Sequence, residues 1–171
     1  MAFTFLKAQN KEVGKSLIEE ELIPMCQELL TKYHDRIVLP IDIIVSSVID
    51  EEVKSENKLV DNISDNDIGL DLGFKTILKI QNILKNAKTV VWNGPLGYYE
   101  IEKYQNATKQ ILKYLTENNI NTILGGGDIV AASKELGYKD KVTHASTGGG
   151  ATLEYLEGKE LPGLKVIEEK N

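Results

Sequence analysis

Residues 121–136 read NTILGGGDIVAASKEL, and this run decides the fold class. Asn121-Thr122-Ile123-Leu124 is a short, β-branched and apolar strand that runs into three glycines. From Asp128 to Leu136 the apolar residues shift to helical spacing. A strand passing through glycine into a helix is half of a βαβ unit, and the same rhythm extends to both sides. Upstream, a helix over Phe74–Lys85 leads into the strand Thr89-Val90-Val91-Trp92, and a helix over Ile101–Glu117 follows. Downstream, Lys141-Val142-Thr143-His144 reads as a strand, and Gly149–Glu157 as a helix that stops at Gly158. Strands alternating with helices imply right-handed crossovers and a parallel sheet covered on both faces. The expected fold class is α/β: a three-layer sandwich with a mainly parallel, Rossmann-like sheet.

Before residue 74 the pattern is looser. Leu17, Ile18, Leu22, Met25, Leu29 and Leu30 predict a helix over 17–33, with Ser16 as N-cap and Glu19 completing a capping box. Pro24 is an irregularity that bends or splits it. Arg36–Pro40 and Ile41–Val45 read as strands. Residues 50–67 are polar and acidic, a surface excursion with one edge strand at Lys58–Val60.

The 171 residues, 42% hydrophobic, suffice for one domain with a real core. A net charge of -6 without a basic run argues against nucleic acid, whose phosphates need clustered Lys and Arg. The single cysteine, Cys26, sits among apolar neighbours and reads as structural. Neither a signal peptide nor an apolar run of membrane-spanning length is present, so a cytoplasmic protein with no membrane partner is expected.

Three glycine-bearing segments follow strands: Trp92–Gly97, Gly125–Asp128 and Ser146–Gly150. In open parallel sheets the carboxyl ends of the strands form the ligand crevice. Glycine brings backbone amides close to a ligand, and helix N-termini suit phosphate. Two triple glycines in matching positions favour a nucleotide over plain turns. No P-loop string, no dinucleotide fingerprint and no protein-kinase signature occurs. His144 and Ser146 lack the glycine frame of a nucleophile elbow, and Trp92, Tyr98 and Tyr99 read as core and wall.

The strings VVWNGPLGYYE (90–100), GGGDIVAA (125–132) and HASTGGGATLEYLEGKELPGL (144–164) closely resemble three signature segments of the phosphoglycerate kinase family. MAFTFLKAQNKEVGKSL (1–17) and DIGLDLGFKT (67–76) resemble two more. The resemblance implies transfer of a phosphoryl group between 1,3-bisphosphoglycerate and ADP, giving 3-phosphoglycerate and ATP with Mg2+. It covers the C-terminal, nucleotide-binding domain, here 1–171, incomplete at its N-terminal side and without the N-terminal substrate domain. Asp128 then serves the magnesium of the nucleotide, with an N-cap as its structural alternative. Glu100 receives the ribose hydroxyls. Asn93 and Gly94 face the phosphates, and Leu17, Gly69 and Leu70 surround the adenine. Gly126, Gly127 and Ile129 belong to the nucleotide loop, and Gly148, Gly149 and Gly150 form the phosphate and transition-state loop. Backbone amides of Gly127 and Gly149 are the catalytic donors, as suits a reaction that needs positioning and charge stabilisation.

Departures from the family pattern are Ile129 in place of Ser or Thr, Phe74 in place of Pro, and Tyr98-Tyr99. The resemblance also places lysines that hold the phosphates, and arginines that hold the acyl phosphate, before Met1. The expectation is therefore an inactive piece of a full enzyme that is itself monomeric. The alternative is a non-catalytic nucleotide-binding module.

Overall fold

The β-branched run Ile43-Ile44-Val45 between Asp42 and Ser46 makes 42–46 a strand buried on both faces, and the rest of the first unit assembles around it. The computed structural model describes residues 1–163 and 165. They divide into two compact units: Met1–Lys85 with Leu96–Gln110, and Asn86–Pro95 with the chain from Ile111 onward. Leu164 and residues 166–171, the end of the expected domain, lie outside the described residues.

In the first unit, helix α1 (Ala2–Ala8) and helix α2 (Ile23–Tyr33) precede strand β1 (Asp42–Ser46). Strands β2 (Glu56–Leu59) and β3 (Ile68–Leu72) flank it, and helix α3 (Phe74–Leu84) follows. All three strands are antiparallel, with Asp42 opposite Leu59, Ile44 opposite Asp71, and a bulge between Ile44 and Val45. The core is Leu6, Val13, Ile43, Val45, Val60 and Ile63, with Phe3, Ile18 and Leu39 packed against it. Full burial of such a side chain contributes about 1.5–3 kcal/mol.

Several expectations change here. No helix starts at 17. Pro24 lies in the first turn of α2, where its missing N–H costs nothing, so the helix begins at the proline. Ser16 is no cap: its buried hydroxyl accepts the Gly69 N–H at 2.9 Å. The Glu19 N–H donates to Thr4 Oγ1 at 3.2 Å, so no capping box forms. Residues 37–40 carry strand-like side chains but no ladder, and Ile37, Leu39 and Pro40 instead line a cavity of about 470 Å³ with Lys11, Leu30 and Lys79. The expected edge strand is present as β2 at the sheet's edge, but over Glu56–Leu59, with Val60 already opening a tight turn. Helix α1 and strand β3 had no periodicity strong enough to announce them. Cys26 is the buried residue of α2.

The second unit carries the parallel sheet, in the order β4 (Thr89–Asn93), β5 (Asn121–Gly125), β6 (His144–Ser146). Its registers place Asn93 opposite Gly125 and Gly125 opposite Ser146. Helix α5 (Gly127–Glu135) follows β5, and helix α6 (Gly149–Leu156) follows β6. The third strand begins at His144 rather than Lys141, because 139–141 close a single tight turn first. Helix α4 (Asn106–Glu117), whose first residues to Gln110 belong to the first unit, buries one stripe, Ala107, Thr108, Ile111, Leu112 and Leu115, at the spacing an amphipathic helix requires. Its predicted first turn, 101–105, is a separate tight turn.

Candidate functional site

The register of the parallel sheet aligns the three strand ends, so Asn93-Gly94, Gly125–Gly127 and Ser146–Gly150 emerge side by side in the second unit. The Gly126 N–H donates to Ser146 O at 2.8 Å, tying the β5 exit to β6. Gly126 has φ +119°, a conformation that favours glycine, and forms the N-cap of α5 without any side-chain cap. Gly148 caps α6, again with no side-chain hydrogen bond. A Cβ on Gly149 would lie 2.8 Å from Gly126 Cα and 3.1 Å from Asn93 Nδ2, so the two triple glycines and Asn93 meet closely. A Cβ on Gly127 or Gly150 would meet nothing within 4 Å. These two glycines border open space, and Gly94, with φ +73°, does too.

Two helix N-termini, both uncapped and both fronted by glycine, therefore open near one another. Their first-turn amides carry partial positive charge and have no intrahelical acceptor, the arrangement that binds phosphate, although the Gly149 N–H is met locally by Thr147 O at 3.1 Å. Asp128 lies in the first turn of α5, exposed. The cap position belongs to Gly126, so the N-cap alternative for Asp128 does not hold. Ile129 is fully buried, and its side chain packs inward; only its backbone amide is left to face a ligand. Thr152 Oγ1 donates to Gly148 O at 2.9 Å, bracing the start of α6. Ser146 Oγ accepts the Gly148 N–H at 3.2 Å, a local turn contact, while His144 is exposed. Trp92 is a core residue whose indole N–H donates to Gly94 O at 2.6 Å, fixing the Asn93–Gly94 turn.

Asp128 suits a magnesium ion that arrives on nucleotide phosphate, since a hard cation takes one or two carboxylates and completes its shell with phosphate and water oxygens. Among the described residues no group of three or more His, Cys, Asp or Glu could hold a metal unaided.

The other predicted residues lie in the first unit. Leu70 is buried, and its carbonyl accepts the Tyr98 N–H at 2.7 Å. Glu100 occupies an exposed turn two residues further on. Gly69 is half-buried, and a Cβ there would run into the Phe3 ring, so packing against α1 alone accounts for that glycine. Leu17 is 86% exposed and lies outside any helix or strand.

Sequence reading passed over two aspartates. Asp42 on β1 accepts the Thr76 N–H at 2.7 Å, the Lys75 N–H at 3.1 Å and the Asn57 amide at 3.1 Å, and the Thr76 hydroxyl donates to it at 2.7 Å. It thereby caps α3 from a neighbouring strand. Burial raises its pKa, but these donors outweigh that and leave it below the ordinary value of 3.8. Asp71 on β3 accepts the Leu72 N–H at 2.8 Å and the Ala107 N–H at 3.0 Å, capping α4. Here burial prevails over the amide donors and pushes the carboxyl from 3.8 up to about 7. An acidic residue inside an otherwise apolar strand was the signal available for both.

A family model described as phosphoglycerate kinase matches residues 1–159. The chain belongs to the phosphoglycerate kinase family. It is similar to the phosphoglycerate kinases of Lactobacillus gasseri (47% identical) and Lactobacillus helveticus (48% identical), each match covering 99% of this chain and 42% of that protein. A solved phosphoglycerate kinase from Coxiella burnetii superposes with a TM-score of 0.91 at 37% identity, covering 97% of this chain and 44% of that one. The chain thus spans less than half the length of the phosphoglycerate kinases it matches. Among the described residues no helix is long and apolar enough to cross a membrane.

Proposed function

We propose that this chain is the nucleotide-binding part of a phosphoglycerate kinase, acting in glycolysis in the cytoplasm. The reaction is phosphoryl transfer between 1,3-bisphosphoglycerate and ADP, giving 3-phosphoglycerate and ATP. The observation that carries the reading is the pair of uncapped, glycine-fronted helix N-termini at the ends of three aligned parallel strands.

In the second unit, the amides of Gly127, Asp128 and Ile129 on α5 and of Gly149 and Gly150 on α6 hold phosphate oxygens, with Gly148 and Gly126 shaping the approach. Asn93 and Gly94 supply polar backbone and side-chain groups beside them. Asp128 holds magnesium, which when bound neutralises phosphate charge. The Gly127 amide donates to oxygens on which charge develops during transfer, and the Gly149 amide joins it by exchanging its local bond to Thr147 O for the ligand. In the first unit, Glu100 accepts the ribose hydroxyls, and Leu17, Gly69 and Leu70 are assigned to the adenine. The phosphoglycerate, and the lysines and arginines that handle its acyl phosphate, belong on this reading to the part of the longer relatives that this chain does not span. The whole enzyme acts as a monomer without nucleic-acid or membrane partners.

Isothermal titration of this chain with Mg·ADP tests the binding. Heat of binding below millimolar nucleotide, abolished by Gly149→Val, is expected; no heat at several millimolar would overturn the reading. A coupled assay with 3-phosphoglycerate and ATP is expected to give no turnover by this chain alone.

A further inference from the structure

Residues 96–108 form an excursion within the first unit, and its base is closed twice. The Leu96 N–H donates to Thr108 Oγ1 at 2.8 Å, and the Thr108 hydroxyl donates back to Leu96 O at 2.6 Å. Beside that pair, the buried Asp71 carboxylate accepts the N–H groups of Ala107, at 3.0 Å, and Asn106. Its other oxygen lies against Gly97, where φ is +75° and a Cβ would collide with both Asp71 Oδ1 and Tyr104 O. A single carboxylate thus lies against Gly97 near the start of the excursion and binds the 106–107 amides near its end. Inside it, Ile101 N–H donates to Tyr98 O at 3.2 Å, Tyr104 N–H to Ile101 O at 2.9 Å, and the Gln105 amide to Tyr99 O at 2.7 Å. Glu100 stands exposed at the turn between these fixed points.

We propose that Asp71, together with Thr108, is a positioning residue for nucleoside recognition, clamping both ends of the 96–108 excursion so that the Glu100 carboxylate is held where ribose hydroxyls reach it. The proposal rests on the assignment of Glu100 to the ribose. An exposed glutamate on a free loop must lose conformational entropy when it binds, whereas one on a turn already fixed at both ends loses less. Asp71 and Thr108 touch no ligand; they act through the backbone that carries Glu100. The phosphate-binding amides of α5 and α6 are not carried by this excursion. Loss of a clamp therefore reduces the share of affinity that depends on ribose hydroxyls and leaves the phosphate share in place.

The test is calorimetric binding of Mg·ADP and of Mg·2′,3′-dideoxy-ADP to this chain, with circular dichroism to check folding. Wild type is expected to prefer ADP by about tenfold, the size of hydrogen bonds to a charged acceptor. Glu100→Gln should bring the ratio toward one. Asp71→Asn and Thr108→Val should do the same while leaving dideoxy-ADP affinity within about twofold of wild type, and Thr108→Ser should restore the ratio. An unchanged ratio in both clamp variants overturns the proposal, as does equal weakening of the two nucleotides. If Asp71→Asn does not fold, the Thr108→Val and Thr108→Ser pair decides alone. A wild type that binds neither nucleotide, or shows no preference, overturns the Glu100 assignment and this inference with it.

Discussion

The helices of the two units start in opposite ways. In the first unit, α3 and α4 begin against buried carboxylates, Asp42 and Asp71, each reaching from a neighbouring strand. Each carboxylate needs a glycine beside it, Gly73 and Gly97, because a side chain there would occupy its place. In the second unit, α5 and α6 begin at Gly126 and Gly148 with no side-chain cap, and of the α6 amides Gly149 has only a local backbone acceptor, Thr147 O. A helix N-terminus has amides that must find acceptors. Where the chain supplies the acceptor the helix end is structural; where it leaves the amides open, a ligand can supply it. Glycine appears at both kinds of start for different reasons, to admit a carboxylate in one and to bare the backbone in the other.

The largest test of that contrast is pH. Asp71 has a folded-state value near 7 against 3.8 unfolded, so the folded chain holds its proton across that interval. Stability is then highest below about pH 4 on this account and falls as pH rises through about 7, by up to about 4 kcal/mol. Asp42 and Asp67 work the other way. For Asp67, burial raises the pKa, but the Lys58 ammonium at 2.7 Å and the Ser64 N–H lower it further, so its contribution is present above 3.8 and lost in stronger acid. Thermal melts from pH 3 to 8 should therefore show a maximum in mild acid, and Asp71→Asn should flatten the limb toward neutrality. A limb unchanged by that substitution would remove Asp71 from the comparison.

Next in size, Asp42→Ala removes the acceptor of two backbone amides, a hydroxyl and a side-chain amide at once. The expected loss is about 3 kcal/mol in denaturant unfolding, because buried donors are left without partners. Gly149→Ala addresses the other side of the contrast. Its Cβ would press on Gly126, so the loops must part, and Mg·ADP affinity should drop about tenfold while stability falls by only about 1 kcal/mol. The smallest effect is expected at Gly127, whose Cβ would meet open space. Gly127→Ala should leave stability within about 0.5 kcal/mol, or raise it slightly through helix propensity. A large loss there would mean that α5 opens onto packed protein and not onto a ligand.

How legible all this was depended on which rule governed each residue. The βα rhythm from residue 74 onward is set by local periodicity and glycine punctuation, and the parallel sheet followed from it. The first unit was harder because its features are settled by distant partners. Ser16 looks like a cap in sequence, yet Gly69, on β3, takes its hydroxyl. Residues 36–40 have strand-forming side chains, but a strand needs a neighbour, and propensity cannot announce one. Asp42 and Asp71 cap helices that lie far along the chain, a relation no local window contains. Among the proposed site residues, the second-unit glycines were readable from backbone chemistry. Glu100 was readable only through the resemblance, since an exposed acid in a turn looks like any other.

Cys26, the buried residue of α2 and the only cysteine in the chain, has a practical consequence. A thiol reagent can reach it only when α2 lifts from its seat, so the rate of labelling under native conditions measures the free energy of that local opening. The chain carries its own reporter of how tightly its amino-terminal helices are held. Adding nucleotide to the labelling reaction would show whether ligand binding is felt there, with no engineered probe and no change to the sequence.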